Sequence, residues 1–325
     1  MAAGTTYLEA IRQGIWEEME RDPDVFVIGE DVGVYGGAFK VTAGMFEHFG
    51  DRRVVDTPIS EEGIVGAAIG AGLMGLRPVA EMQFSDFISC GFDQIVNFAA
   101  KCHYRWNAAV PIVVRAPSGG GIHGGPFHSQ NPEMWFVRTP GLKVVCPATP
   151  YDAKGLIKAA IRDNDPVIFF EHKALYRRVK EDIPDEDYTV PLGRAKVVRE
   201  GKDLTIVTYG AMVWSALEAA EKLAEEGASI EVVDLRTLLP LDRDTVCDSV
   251  RKTSKVLLVH EDTRTGGMAG ELAVSITERV FEYLDAPIVR VTAPDTPVPF
   301  SPPLEEAFLP NTEKVIEKAR WLYRY

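Results

Sequence analysis

The chain has 325 residues, of which 46% are apolar and 26% charged, with a net charge of −13; that is long enough for two domains and too acidic to offer nucleic acid a basic footprint. Its apolar uncharged run 63–76 is shorter than the ~20 residues a membrane helix needs. Cysteines 90, 102, 146 and 247 form neither a CxxC pair nor a metal-finger spacing, and 1–21 reads as an acidic helix rather than a signal peptide, so free thiols in the cytoplasm are expected.

A helix is predicted over 7–20, then a strand over 25–28 that runs into Gly29 and Glu30. Apolar runs over 78–81, 112–115, 143–145 and 167–170 predict further strands, and helices are predicted between them over 61–75, 90–105 and 151–162. Such alternation predicts an α/β fold with mostly parallel strands. Residues 180–191 concentrate charge and proline without apolar periodicity, which reads as a linker. The alternation restarts with strands over 204–208, 230–234, 256–259 and 288–291, helices over 212–226, 242–252 and 268–284, and a terminal helix over 312–321. Two doubly wound domains are expected, 1–188 and 189–325.

Thr57-Pro58-Ile59-Ser60-Glu61-Glu62-Gly63 puts an acid at the head of an uncharged, glycine-studded helix. Pro58 forces an extended entry and Ser60 is a natural helix cap, so Glu61 is expected at a helix N-terminus, buried or nearly so. A buried carboxyl holds its proton more tightly and can trade it near neutral pH. The competing reading is that Glu61 and Glu62 only decorate the first turn, stabilised by about 0.3–1 kcal/mol through the helix dipole.

Gly70-Ala71-Gly72-Leu73-Met74-Gly75 matches a dinucleotide-binding pattern in letters only, because it closes a helix and precedes a strand, the reverse of what that motif requires. The glycine-rich loop 118–130 follows a strand, where open α/β sheets place ligands, and carries His123 and His128. It lacks the lysine of a phosphate loop and has no carboxylate at a ligand spacing. It reads either as a loop delivering imidazoles to a reaction centre or as a plain surface turn. Glu30, Glu61, Gln83 with Phe87, and His128 all follow or approach one edge of the first predicted sheet. A further helix must stop before Pro166, leaving carbonyls at its negative end that, with a short acid, suit a monovalent cation or are simply an ordinary helix end.

Gly29-Glu-Asp-Val-Gly, Asp56-Thr-Pro-Ile-Ser-Glu-Glu-Gly, Gln83-Phe, Phe92-Asp-Gln-Ile-Val-Asn, Phe127-His-Ser-Gln, Pro140-Gly-Leu-Lys-Val-Val, Asp152-Ala-Lys-Gly-Leu-Ile-Lys, Val233-Asp-Leu-Arg-Thr and Gly266-Gly occur in this order along the chain. In these the chain resembles, almost end to end, the β subunit of the decarboxylating component of 2-oxo acid dehydrogenase complexes, which are thiamine diphosphate enzymes. The resemblance implies a pyrimidine-binding module followed by a transketolase C-terminal-like domain. It gives Glu61 the hydrogen bond to the pyrimidine ring nitrogen that drives the imino tautomer, and it lines the same cavity with Glu30, Ile59, Ser60, Gln83 and Phe87. Phe87 stands where branched-chain members often carry tyrosine. His128 matches the histidine that meets substrate and serves acyl transfer to lipoamide. A potassium site maps to Ile112, Ala160, Ile161, Asp163 and Asp165, the last being asparagine in many relatives.

Gly-Asp-Gly, the segment that grips the diphosphate through magnesium in this family, occurs nowhere in the chain. The resemblance therefore implies an α subunit that holds Mg2+ and the diphosphate, in an assembly of two α and two β chains that docks on a lipoyl acyltransferase core. Branched-chain 2-oxo acids are the expected substrates, from the contexts of Gln83 to Phe87 and Gly124 to Ser129, with pyruvate as the alternative. An acetoin-cleaving enzyme, half of a split transketolase, and a non-catalytic scaffold are the rivals.

Overall fold

The computed structural model describes residues 4–325, which fall into two compact units. One runs up to Ser118 and resumes over Trp135–Leu192; the other comprises Gly119–Met134 and Gly193–Tyr325. The chain thus changes unit three times, where a single crossing near residue 188 was expected. The glycine-rich loop leaves the first unit and folds with the second.

In the first unit, helix α1 (Tyr7–Arg21) leads into strand β1 (Val25–Gly29), and β2 (Val54–Asp56) precedes helix α2 (Glu61–Leu73) and β3 (Arg77–Glu81). Helix α3 (Ala100–Trp106), β4 (Val113–Ser118), β5 (Lys143–Val145), α4 (Pro150–Arg162) and β6 (Val167–His172) follow. The six strands lie in the order β5-β6-β4-β3-β1-β2, with every pair parallel. All residues of β4 and β6 are buried, as expected of a parallel sheet covered on both faces.

Thr6 caps α1 with a reciprocal capping box to Glu9. The helix lies hard against α4: a Cβ on Gly14 would come within 2.5 Å of Ile157, so glycine is what permits the approach. Glu18 is fully buried in this contact and is held by Arg162 at 2.7 Å. The helix predicted over 90–105 is instead composite. A 3-10 segment, Ser85–Gly91, precedes a π-helical turn, Gln94–Ala99, and only Ala100–Trp106 is α-helical. Apolar periodicity does not reveal an inserted residue, and π turns concentrate where function displaces regular hydrogen bonding. Within the predicted linker, Lys180–Glu181 pairs antiparallel with Thr5–Thr6.

In the second unit β7 (Lys196–Arg199), β8 (Leu204–Thr208), β9 (Ile230–Asp234), β10 (Val256–Thr263) and β11 (Val289–Ala293) form a sheet in the order β11-β10-β8-β9-β7. Only β7, an edge strand the sequence reading missed, is antiparallel. Helices α5 (Met212–Ala224), α6 (Arg243–Thr253), α7 (Met268–Val280), α8 (Pro302–Phe308) and α9 (Thr312–Arg324) complete it. Leu204 and Ile206 pack in one core with Ala216 and Leu223 of α5 and Val315 and Ala319 of α9. Thr205, pointing to the opposite face, meets Thr253 of α6 at 2.7 Å. Helices therefore cover both faces of this sheet. No described helix is long and apolar enough to cross a membrane.

Candidate functional site

Register decides which residues meet at the carboxyl edge of the first sheet. Asp56, Gly29 and Glu81 stand side by side at the ends of β2, β1 and β3, so the segments that leave those strands start from neighbouring points. Glu30 follows β1, the Thr57-to-Ser60 segment follows β2 and delivers Glu61 at the head of α2, and Gln83 follows β3. Thr57 N–H donates to Gly29 O at 2.9 Å, and Gly33 N–H to Asp56 at 2.6 Å, tying these segments together. A Cβ on Gly33 would fall 2.3 Å from the Asp56 carboxylate.

Glu30 is the buried acid of the group, at 7% exposure, whereas Glu61, expected to be buried, is half-buried. Burial pushes the Glu30 carboxyl above its ordinary range, and the neighbouring charges of Glu61 and Asp31 push it further, against a hydrogen bond from the Ser60 N–H. Glu30 Oε1 is buried and has no hydrogen-bond partner. Unpaired buried oxygens are costly, so one that persists at a sheet edge marks a place for a donor. The difference from expectation arises because Glu61 heads a helix at the rim, while the Glu30 segment lies between two neighbours.

Ser60 does not cap α2 with its side chain. Its carbonyl accepts the Ile64 N–H at 2.8 Å, its own N–H serves Glu30, and its hydroxyl sits close over Gly63. Ile59 is 82% exposed, an apolar side chain presented at this edge. Gln83 is half-buried and donates to Asp31 at 3.3 Å. Phe87, also half-buried, meets Phe84 edge to face at 6.3 Å, and Phe84 meets Phe39 in the same manner at 5.5 Å.

Beneath this edge Arg115 is fully buried in β4. It donates through Nε and Nη2 to Glu171 at 2.6 and 2.7 Å and through Nη1 to Glu81 at 2.5 Å. Tyr176 O–H donates to Glu171 at 2.7 Å. Burial holds Glu81 above the usual carboxylate range in spite of Arg115. The sequence reading missed this network; its sequence signal is a charged residue, Glu81, Arg115 or Glu171, within each of three otherwise largely apolar strands.

The structure brings the predicted cation ligands to the end of α4, with their polar groups already engaged. Ile112 O accepts the Val167 N–H and Ala160 O the Asp163 N–H, at 3.0 and 3.2 Å. Arg77 Nη1 donates to the carbonyls of Ile161 and Asp163 at 3.0 and 2.9 Å. Lys143 sits 2.6 Å from the Asp163 carboxylate and 3.3 Å from Asp165, which His103 also meets at 2.7 Å. Burial would raise Asp165, but the hydrogen bond from His103 and the Lys143 charge hold it below its ordinary value. Among the described residues no cluster of three or more His, Cys, Asp or Glu suits a metal ion.

In the second unit, the loop Gly119–Met134 carries His128, which is half-buried. Gly119 N–H closes the loop on Gln130 O at 3.1 Å. Tyr209 O–H donates to the buried Glu133 at 2.7 Å, and burial, followed by the charge of Asp262, holds the Glu133 carboxyl above its usual range.

Residues 3–179 match the family model described as transketolase, pyrimidine binding domain, and 193–315 match the one described as transketolase, C-terminal domain. The chain is 53% identical over 323 residues to 2-oxoisovalerate dehydrogenase subunit beta of Bacillus subtilis (strain 168), spanning 98% of this chain and 99% of that one. It is 47% identical over 322 residues to the pyruvate dehydrogenase E1 component subunit beta of the same organism, spanning 98% of each. A solved structure described as a split gene transketolase, inactive beta4 tetramer, superposes with a TM-score of 0.81 at 25% identity over 99% of both chains.

Proposed function

The chain belongs to the family of 2-oxo acid dehydrogenase β subunits with transketolase-type pyrimidine-binding and C-terminal domains, and from that premise we propose that it serves oxidative decarboxylation of branched-chain 2-oxo acids with acyl transfer to lipoamide. The observation that carries the reading is the Glu30–Glu61 pair at the sheet edge. Burial, and after it the negative charge of Glu61, makes Glu30 harder to ionise, which suits it to hold a proton at this edge.

These residues fit an aminopyrimidine. Glu30 Oε1 is an acceptor without a donor, Gln83 is an amide beside it in the sheet-edge order, and Ile59 offers an exposed apolar side chain to a ring. Thiamine diphosphate, when bound, supplies the electron sink that decarboxylation of a 2-oxo acid needs. Glu61 gives and takes a proton at the pyrimidine ring nitrogen. Glu30 would offer its unpartnered Oε1 to a donor on the ring, and Phe87, packed edge to face on Phe84, adds an aromatic surface.

Because Gly-Asp-Gly is absent, the diphosphate and Mg2+ fall to an α subunit, in a complex of two α and two β chains that works with a lipoyl acyltransferase core. Four free cysteines support a cytoplasmic setting, which fractionation checks. Potassium at the end of α4 would share the carbonyls of Ile161 and Asp163 with Arg77 through their second lone pairs. At tenfold its Kd such an ion would stabilise the fold by about 1.4 kcal/mol, so the complex is expected to melt higher in KCl than in NaCl; equal melting temperatures would remove potassium from the site.

The test of the function is co-purification with a candidate α chain, then an oxo-acid panel with added thiamine diphosphate and magnesium. Turnover of branched-chain acids is expected to exceed that of pyruvate, the second reading, which the 47% identity to a pyruvate dehydrogenase β subunit keeps in play. One or two methylenes shift pocket preference by only about 1–3 kcal/mol. Turnover of acetoin or sugar phosphates alone would overturn both. In the same complex His128→Ala is expected to depress lipoyl acylation more than decarboxylation, and equal losses would remove His128 from acyl transfer.

A further inference from the structure

The glycine-rich loop has few side chains of its own to fix it, yet its backbone is held by two carboxylates from far along the chain. Glu305, at the start of α8, is fully buried. One of its oxygens accepts the Gly121 N–H at 3.0 Å, and the other accepts the His123 N–H at 3.2 Å and faces His123 Nδ1 at 2.6 Å. Glu261, near the end of β10, is buried too, and its Oε1 accepts the Gly120 N–H at 2.7 Å and the Asn131 side-chain amide at 3.1 Å. The two acids therefore grip both ends of the segment that contains His128: residues 120, 121 and 123 before it, and residue 131 after it. Hydrogen bonds to a charged acceptor are stronger than neutral ones, and a buried acceptor with several backbone donors leaves a glycine-rich segment little freedom. The Tyr209–Glu133 bond and the closure of Gly119 on Gln130 add to this hold at the loop's far end.

We propose that Glu305 and Glu261 are positioning residues for His128, a carboxylate clamp that holds the glycine-rich loop in the geometry that acyl transfer requires. This rests on the reading of His128 given above, and the tests separate the two. The clamp acts only through the loop: neither acid need touch substrate. Because a displacement of about 1 Å can cost a reaction on the order of 10²-fold, loosening the clamp has a kinetic signature out of proportion to its effect on folding.

The experiment uses the complex with its α chain and compares Glu305→Gln, Glu261→Gln, His128→Ala and the double variant His128→Ala/Glu305→Gln. In Glu305→Gln one oxygen remains for a backbone donor, but an NH2 group faces the others. Amide hydrogen exchange over residues 119–131 is expected to speed up in both glutamine variants, and lipoyl acylation to fall about 10–100-fold while the complex stays assembled. Adding Glu305→Gln to His128→Ala is expected to lower the rate no further, since a clamp has nothing left to position. Unchanged exchange in the loop, or losses that simply multiply in the double variant, would overturn the clamp. Should Glu305→Gln fail to fold, Glu261→Gln carries the same readings. If His128→Ala depresses both partial reactions equally, the acyl-transfer reading falls, while the exchange rates and the non-additivity in whichever reaction His128 serves still decide the clamp.

Discussion

Replacing Glu61 by glutamine is expected to lower decarboxylation by about 10²–10⁴-fold in the assembled complex, the usual weight of a positioned general acid or base. That range corresponds to about 3–5 kcal/mol of barrier. Glutamine keeps the volume and one hydrogen-bonding oxygen, and the side chain is only half-buried at the rim of α2, so assembly with the α chain is expected to stay intact. Single-turnover decarboxylation at saturating thiamine diphosphate, measured beside size-exclusion of the complex, reads both. A loss under tenfold with full cofactor occupancy would take proton exchange away from residue 61 and leave it a first-turn acid. The proximity to Glu30 sharpens the expectation: without the Glu61 charge, one of the causes that raise the Glu30 carboxyl disappears, so Glu30 is expected to give up its proton more readily in the variant.

Arg115→Met is expected to be the most destabilising single change, at about 3–5 kcal/mol, because it strands two buried carboxylates that now share one guanidinium. Methionine fills much of the volume, so the loss is electrostatic rather than a cavity. Urea unfolding of the chain checks it. Adding Glu81→Gln and Glu171→Gln to Arg115→Met is expected to recover part of the loss, since neutral amides in place of unpaired charges cost less to bury. A cost under about 1 kcal/mol for Arg115→Met would mean that the acids are already protonated or reach water. The network lies under the sheet edge that carries Glu30 and Gln83, so its integrity also fixes the floor on which those residues stand.

Much of the edge was legible in the chain itself. Apolar runs located the strands, glycine and proline located where they end, and ligands in parallel α/β sheets gather where strands end. Glu30, Glu61 and Gln83 were found that way, because each follows its strand within a few residues and the argument stays local. What was not legible depends on partners distant in sequence. Glu305 meets Gly121 across 184 positions and Glu261 meets Gly120 across 141, and no periodicity links such residues. The loop 119–134 joins the second unit through bonds of this kind, and its glycine-rich composition gave no sign of them. The guanidinium of Arg77 at the predicted cation ligands is another case, since Arg77 opens a strand and gave no sign that it would reach the end of α4.

The amino-acid sequence by itself determined the alternating parallel architecture and the carboxylate at the head of an uncharged helix, since each rests on short-range pattern. The tertiary structure alone decided that Glu30 rather than Glu61 is the buried acid, that Ser60 spends its N–H on Glu30 instead of capping with its hydroxyl, and that two remote carboxylates hold the histidine loop. Burial and charge coupling are properties of what surrounds a group in three dimensions, and a linear pattern records only what adjoins it along the chain.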